Sequence, residues 1–436
     1  MADLNYAADN WLGETPDTWS VVPAKSLFSN PVERNHADDV HLTPSQKFGV
    51  LPQSDYMEMS GNRVVLNLSG ADNMRHVEPG DFVSHLRSFQ GGLEYSPYEG
   101  KVSSAYTVLR PKRQIEHRFY KYLFKSGRYV QGLSTTTEQL RDGQSIRYEQ
   151  FALLRLPYPP LEEQKAIADY LDHELESIDK LFATQQRLKK LIEYRRASLI
   201  LNGVLGKFLN IARSSIDDSD WIDSLPSEWQ HGRLKYSISQ IKGGVWGQED
   251  DDSEDSIWCV RIADFDRKNL RVNDEKKTIR SVTRSERSGR ILKPGDLLLE
   301  KSGGGDQAPV GCVVSYDHEL QAVSSNFTNV LRLTKNQNSR YWTYVHQALY
   351  SNGRTWRSIK QTSGIQNLDT ENYLNEIVPF PPEPDQNVIA RYLDKELAKI
   401  DKLQSTIDGF MTLLQERRKA LINSAVTGKI DVRGKN

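Results

Sequence analysis

Residues 157–181 read PYPPLEEQKAIADYLDHELESIDKL, and residues 379–403 read PFPPEPDQNVIARYLDKELAKIDKL. Aligning Pro157 with Pro379 gives an offset of 222 (379 − 157), which holds without a gap to Gly206-Lys207 against Gly428-Lys429. About half of the aligned positions are identical, including Tyr170/Tyr392, Leu171/Leu393 and the Ile-Asp-Lys-Leu at 178–181 and 400–403. A period this long excludes a solenoid and points to a duplicated module. Each copy starts where the prolines stop, as a helix does after a rigid extended lead-in. Glu162 and Glu163, or Glu383 and Asp385, then occupy the first turn, where carboxylates suit the positive end of the helix dipole.

In the second copy Leu393, Ile400, Ile407, Leu414 and Leu421 recur every seventh residue, with Leu397, Leu403 and Phe410 between them. The first copy gives Leu171, Ile178, Gln185, Ile192 and Leu199, with Leu175, Phe182 and Leu188. A heptad stripe of this length predicts a coiled coil, and one chain holding two such helices can pair them antiparallel. Roughly 37 helical residues make a rod on the order of 55 Å. A hairpin that merely joins two domains is the plainer alternative; a spacer between two reading heads is the sharper one.

The segments before each helix echo each other more faintly. Trp11, Pro16 and Trp19 match Trp221, Pro226 and Trp229, and Pro79-Gly80-Asp81 answers Pro294-Gly295-Asp296. RVVLNLSG, DFVSHL, AYTVLRP, GDLLLEK and VGCVVSY read as short strands. HRFYKYLFKSG and YWTYVHQALYSNG read as one helix each, ending on Gly127 and Gly353. The expected class is α+β. Two β-rich domains, 1–156 and 209–378, alternate with two helical spacers, 157–208 and 379–436, in a pseudo-twofold repeat.

The chain has 436 residues, with 57 Lys and Arg against 58 Asp and Glu. That balance argues against a lone basic protein that coats DNA, although local basic faces remain possible. Cys259 and Cys312 stand in no metal-ligand or paired spacing, which suggests a reducing compartment. The start MADLNYAADNWLG shows no signal peptide and no run reaches a membrane span, so a cytoplasmic protein is expected.

Enzyme motifs fail one by one. PGDLLLEKS (294–302) places Glu300 and Lys301 side by side rather than apart, unlike a nuclease metal cluster. SGGGDQ (302–307) lacks the Lys-Ser/Thr of a phosphate loop, and the nine histidines show no metal-ligand spacing. Neither PYPP nor PFPP is the Asn/Asp-Pro-Pro-Tyr/Phe motif of an amino-methylating enzyme.

The repeated P-Y/F-P-P, E/D-Q, I-A-x-Y-L-D, I-D-K-L, R-R and G-K, with TSGIQNLDTENYLNEIVPFPP (362–382) leading into the second copy, resembles the specificity subunit of type I restriction–modification systems. The resemblance covers essentially the whole chain, although LRDGQSIRYEQFALLRLPYPP (140–160) is a looser lead-in. It implies a non-catalytic subunit whose two recognition domains each read half of a bipartite double-stranded DNA target. It also implies two methyltransferase subunits docked on the helices and restriction subunits in the same assembly. No cofactor is implied in this chain; S-adenosylmethionine, ATP and Mg are implied on the partners. A methylation-only multisubunit system and a two-domain interaction scaffold without a DNA role are the alternatives.

Base readout needs Arg, Lys, Asn or Gln on loops or a helix edge. The second domain offers Lys301 and Ser302 at the glycine loop, then Arg354, Arg357, Lys360, Gln361 and Thr362. The first offers Arg87, Ser88, Gln90, Lys125, Arg128, Tyr129 and Arg141. Partner candidates are the polar positions repeated in both helices: Gln164/Gln386, Asp172/Asp394, Glu174/Glu396, Lys180/Lys402 and Arg195-Arg196/Arg417-Arg418. A solvated charged face is their bland reading.

Overall fold

The computed structural model describes residues 11–61, 73–85, 91–136, 146–305 and 308–432. The chain forms two compact units: Met1–Gln186 with Asp408–Asn436, and Arg187–Ile407. Two helices of 44 residues, Leu161–Val204 and Glu383–Val426, begin directly after the proline runs. Each unit therefore holds the first part of one long helix and the last part of the other.

Within the first unit Phe28–Ser29, Val108–Pro111, Phe82–Val83 and Glu94–Tyr95 form a four-stranded sheet in that order, antiparallel throughout. The short helix His117–Lys125 packs on it through Phe119, Tyr120, Leu123 and Phe124, all fully buried. It stops at Ser126 rather than Gly127, because the Ser126 hydroxyl accepts from Tyr129 N–H and caps a second helix, Gly127–Ser134. The expected strand at RVVLNLSG lies outside the described residues.

Within the second unit a six-stranded sheet runs Ile238–Gly243, Thr328–Leu333, Asp296–Glu300, Val313–Tyr316, Arg271–Val272, Phe265–Asp266. A three-stranded sheet pairs Ile279–Ser281, Ser256–Val260 and Ala322–Ser324. The helix Ser339–Ser351 covers the larger sheet and ends, as its sequence predicts, before Gly353 at φ 69°. Ser20–Pro23 pairs with Arg155–Tyr158 in the first unit, as Gln230–Arg233 pairs with Ile377–Phe380 in the second.

The heptad stripe has two jobs. Ile167, Leu171, Leu175 and Ile178 enter the core of the first unit, and Ile389, Leu393 and Leu397 enter that of the second. In the second unit Arg196 meets Asp401 and Gly203 lies against Leu393, so the two helices run antiparallel there. Leu188, Leu403 and Phe410, expected between the stripe positions, are instead 37%, 48% and 40% exposed. A two-helix seam buries only its central stripe, and these residues sit off it.

The repeated Gly-Lys also gains a reason. Gly206 (φ 63°) follows the first long helix, and a Cβ there would lie 2.5 Å from the Trp229 ring. Gly428 (φ 73°) follows the second, and its Cβ would meet Pro16 at 2.3 Å and Trp19 at 3.2 Å. Only glycine supplies both the left-handed turn and the space. Each Pro…Trp opening thus seats on the helix end belonging to its own unit.

Candidate nucleic-acid interface

In the second unit the glycine loop and the TSGIQNLD segment are one structure. Ser302–Gly303, Ile365–Leu368 and Ile359–Ser363 form a three-stranded antiparallel sheet. In its register both Ser302 and Lys360 lie opposite Asn367, and both Gly303 and Gln361 lie opposite Gln366. The Ser302 hydroxyl donates to Asn367 Oδ1 at 2.7 Å, and the Lys360 ammonium, 71% exposed, pairs with Asp369 at 2.7 Å. The loop presses close: at Gly304 (φ 63°) a Cβ would fall 2.7 Å from Val310 N and 3.0 Å from Gln366 Oε1. Lys301 is fixed by its backbone, donating to Phe327 O and accepting from Leu368 N. Phe327 and Ile365 remain about half exposed beside it. Candidates almost 60 residues apart in sequence therefore flank one shared strand, while the side chains of Gln361 and Thr362 lie outside the described set.

The two arginines upstream behave differently. Arg354 is buried, with its guanidinium on Asp220 at 2.6 Å and Glu376 at 2.9 Å. Its charge is balanced inside the fold, so it is a structural residue rather than a base reader. Arg357 is 57% exposed and shares Asp220 at 2.7 Å; the two guanidinium hydrogen bonds hold the Asp220 carboxyl well below its ordinary range.

In the first unit Lys125 pairs with the buried carboxylate of Glu94, which also faces His85 Nε2 at 3.3 Å. Arg128 donates to Trp11 O at 3.4 Å. Tyr129 is fully buried and edge-on to Trp11, so it is core; burial raises its hydroxyl pKa well above the ordinary value. Arg87, Ser88, Gln90 and Arg141 lie outside the described residues.

Several repeated helix residues turn inward. Gln164 is buried, with Oε1 accepting from Glu116 N–H at 2.9 Å and Nε2 donating to Pro159 O at 2.8 Å. Gln386 repeats this on Asn338 N–H and Pro381 O, and adds Gln337 Oε1, each at 2.9 Å. Asp172 accepts from Arg118 at 2.7 Å and from the Tyr122 hydroxyl; Asp394 accepts from Arg340 at 2.9 Å and Tyr344 at 2.6 Å. Arg196 reaches Asp401 at 2.7 Å, and Arg418 reaches Asp179. These residues recur because each unit needs the same internal latch, a reason that charge repetition alone did not reveal. Arg118/Arg340 and Tyr122/Tyr344, which complete the latch, stand at the same offset of 222 and were findable by extending the alignment upstream. Likewise Asp81 binds Arg110 and Asp296 binds Arg332, giving the repeated Pro-Gly-Asp its role.

What stays outward is a shorter set. Lys180, Lys402, Arg195 and Arg417 are exposed, while Glu174 and Glu396 are half-buried. Leu181, Phe410 and Leu413 are exposed on the helices of the first unit, and Leu403, Leu188 and Leu191 at the equivalent positions of the second.

Residues 52–194 match the family model of the type I restriction modification DNA specificity domain. The Type I restriction enzyme EcoKI specificity subunit of Escherichia coli K12 is 21% identical over 345 residues, 77% of this chain and 70% of that protein. The chain is thus similar to the specificity subunits of type I restriction–modification systems. The StySPI specificity subunit of Salmonella potsdam is 23% identical over 77% of this chain and 70% of its own length. Among solved structures, a chain from an assembly of the type I R-M system superimposes with a TM-score of 0.70 at 16% identity, covering 96% of this chain and all of that one. The HsdS subunit from Thermoanaerobacter tengcongensis gives 0.51 at 18% identity, over 96% and 98%. Both likenesses concern the fold, and they agree with the two β-rich parts and two long helices expected from the repeat. No helix among the described residues is long and apolar enough to cross a membrane.

Proposed function

We propose that this chain is the non-catalytic DNA-specificity subunit of a type I restriction–modification complex, each unit reading one half of an asymmetric, bipartite duplex target. The single observation that carries this reading is a latch repeated residue for residue under two heads that differ. Gln164/Gln386, Arg118/Arg340 and Asp172/Asp394 keep one geometry. Among the described residues the glycine-loop sheet and the Lys125–Glu94 edge share no such match. Duplicated support with divergent edges suits a molecule reading two unlike sequences.

In this proposal Lys301, Ser302, Arg357, Lys360, Gln361 and Thr362 face the duplex from the second unit. Lys125 and Arg128, with Arg87, Ser88, Gln90 and Arg141, do so from the first. Phosphate contacts would set position and the sheet edge would read bases. Two methyltransferase subunits would dock on the exposed helix residues Leu181, Phe410, Leu413 and Leu403, Leu188, Leu191, with Lys180, Lys402, Arg195 and Arg417 at the rim. Restriction subunits would join through that complex, in the cytoplasm. S-adenosylmethionine, ATP and Mg would bind those partners.

The test is adenine-methylation mapping across the host genome with this gene intact and deleted. Loss of one asymmetric two-part motif supports the proposal, and an unchanged map from a strain expressing the gene contradicts it. Salt-dependent binding of one duplex by the purified complex with the methylase would separate DNA recognition from scaffolding alone.

A further inference from the structure

In the first unit residues 33–41 lie along the antiparallel strand pair Arg75–Val77 and Gly100–Val102. Arg34 bridges Arg75, His41 bridges Lys101, and His76 N–H donates to Glu33 O at 3.1 Å. His76 faces Lys101 in register, and Glu99, two residues before Lys101, shares that face. Against this face stand His36 and Asp39. One ligand atom from each of His36, Asp39, His76 and Glu99 lies within 4.8 Å of all the others.

The cluster is built from inside outward. The side chains of His76 and Asp39 are 2% and 4% exposed, while His36 is 56% exposed and Glu99 is open to solvent. Asp39 Oδ2 accepts from His36 N–H at 2.8 Å and faces His76 Nδ1 at 2.9 Å. The two imidazole rings lie 4.1 Å apart at 33°. Two imidazoles and two carboxylates make a donor set that is half buried and has an entry path from solvent. The overlapping group Glu33, His76 and Glu78 is a poorer candidate. Arg110 already pairs with Glu33 at 3.3 Å and Glu78 at 2.7 Å.

We propose that His36, Asp39, His76 and Glu99 bind one divalent transition-metal ion of the zinc type, which staples residues 33–41 to that strand pair. Two imidazoles with two carboxylates suit zinc or cobalt; calcium and magnesium prefer all-oxygen sets, and no thiolate is present for a softer ion. Among the described residues no such cluster occurs in the second unit. This inference does not rest on the proposed DNA role.

The experiment uses the full-length, tag-free chain after EDTA treatment and desalting. Titration with ZnCl₂ by calorimetry is expected to give one ion per chain. Co²⁺ is expected to give the visible absorption of a four-coordinate site. The His36→Ala/Glu99→Gln variant changes only the two solvent-facing ligands, so it folds, and it should bind about 100-fold more weakly or worse. Zn²⁺ should slow hydrogen exchange at 33–41 and 75–77 and leave residues 238–333 unchanged. Absence of stoichiometric Zn²⁺ binding, or equal affinity in the variant, would overturn the proposal.

Discussion

At one place in the short helix the first unit carries Phe124 and the second carries His346, 222 residues later. Both are fully buried, and both sit above a latch that is otherwise the same. Phe124 packs among Phe28, Phe82 and Phe151, whereas His346 Nδ1 faces the Tyr373 hydroxyl at 2.7 Å and Nε2 has no hydrogen-bond partner among the described residues. The comparison teaches that the units share what holds the long helices and differ in what fills the heads. A support under constraint keeps its residues, while a core of equal volume can be filled in more than one way.

The strongest way to break that comparison is to cut the shared latch. Gln164→Leu should cost about 2–4 kcal/mol, because a buried N–H and a buried carbonyl both lose their partner. Gln386→Leu should cost as much or slightly more, since Gln337 Oε1 loses one of two donors and keeps Trp342 Nε1–H. Hydrogen exchange of the helix amides in each unit reads the two losses separately. Equal protection in both variants and the wild type would mean that the glutamines are not latches.

Next in size is an acid response centred on His346 in the second unit. Burial lowers the His346 pKa to about 3, against an ordinary value of 6.5. Between those values the unfolded chain binds a proton that the folded chain refuses, so stability falls as pH drops and is level above 6.5. The loss amounts to about 2–3 kcal/mol at pH 4.5. His346→Phe, which copies the first unit, should flatten this limb in urea melts between pH 7 and 4.5. An unchanged slope would place the acid sensitivity elsewhere.

The smallest effect is a graded one. Arg196–Asp401 is 19% and 26% exposed, and its counterpart Arg418–Asp179 is 38% and 62% exposed. Double-mutant cycles should give a coupling of about 1 kcal/mol for the first and about 0.5 kcal/mol or less for the second. A larger value for the more exposed pair would contradict the assigned geometry.

Much of this architecture can be read from the sequence, because its signal is periodic. The constant offset locates both long helices, the prolines mark their starts, and Gly206 and Gly428 mark their ends. Spacing does not reveal which polar side chains turn inward. Gln164 and Asp172 look like any surface residues of an amphipathic helix until Glu116 N–H and Arg118 are brought to them from a separate element. The candidate DNA edge was half visible: Lys301, Ser302 and Lys360 were named for their chemistry. That Ser302 and Lys360 flank Asn367 depends on the pairing of Ser302 with a strand more than 50 residues away. The histidine cluster was invisible for the same reason, since His36, Asp39, His76 and Glu99 follow no ligand spacing and meet only when three segments align.

The central claim is that two different heads on one repeated support read two different half-sites. Methylation mapping of a strain carrying Lys360→Ala with Asn367→Ala, beside the intact strain, tests it most directly. These substitutions touch the exposed sheet of the second unit and leave its latch intact. The account predicts a methylated motif relaxed or weakened in one half, with the other half read as before. A motif altered in both halves, or methylation indistinguishable from the intact strain, would contradict it.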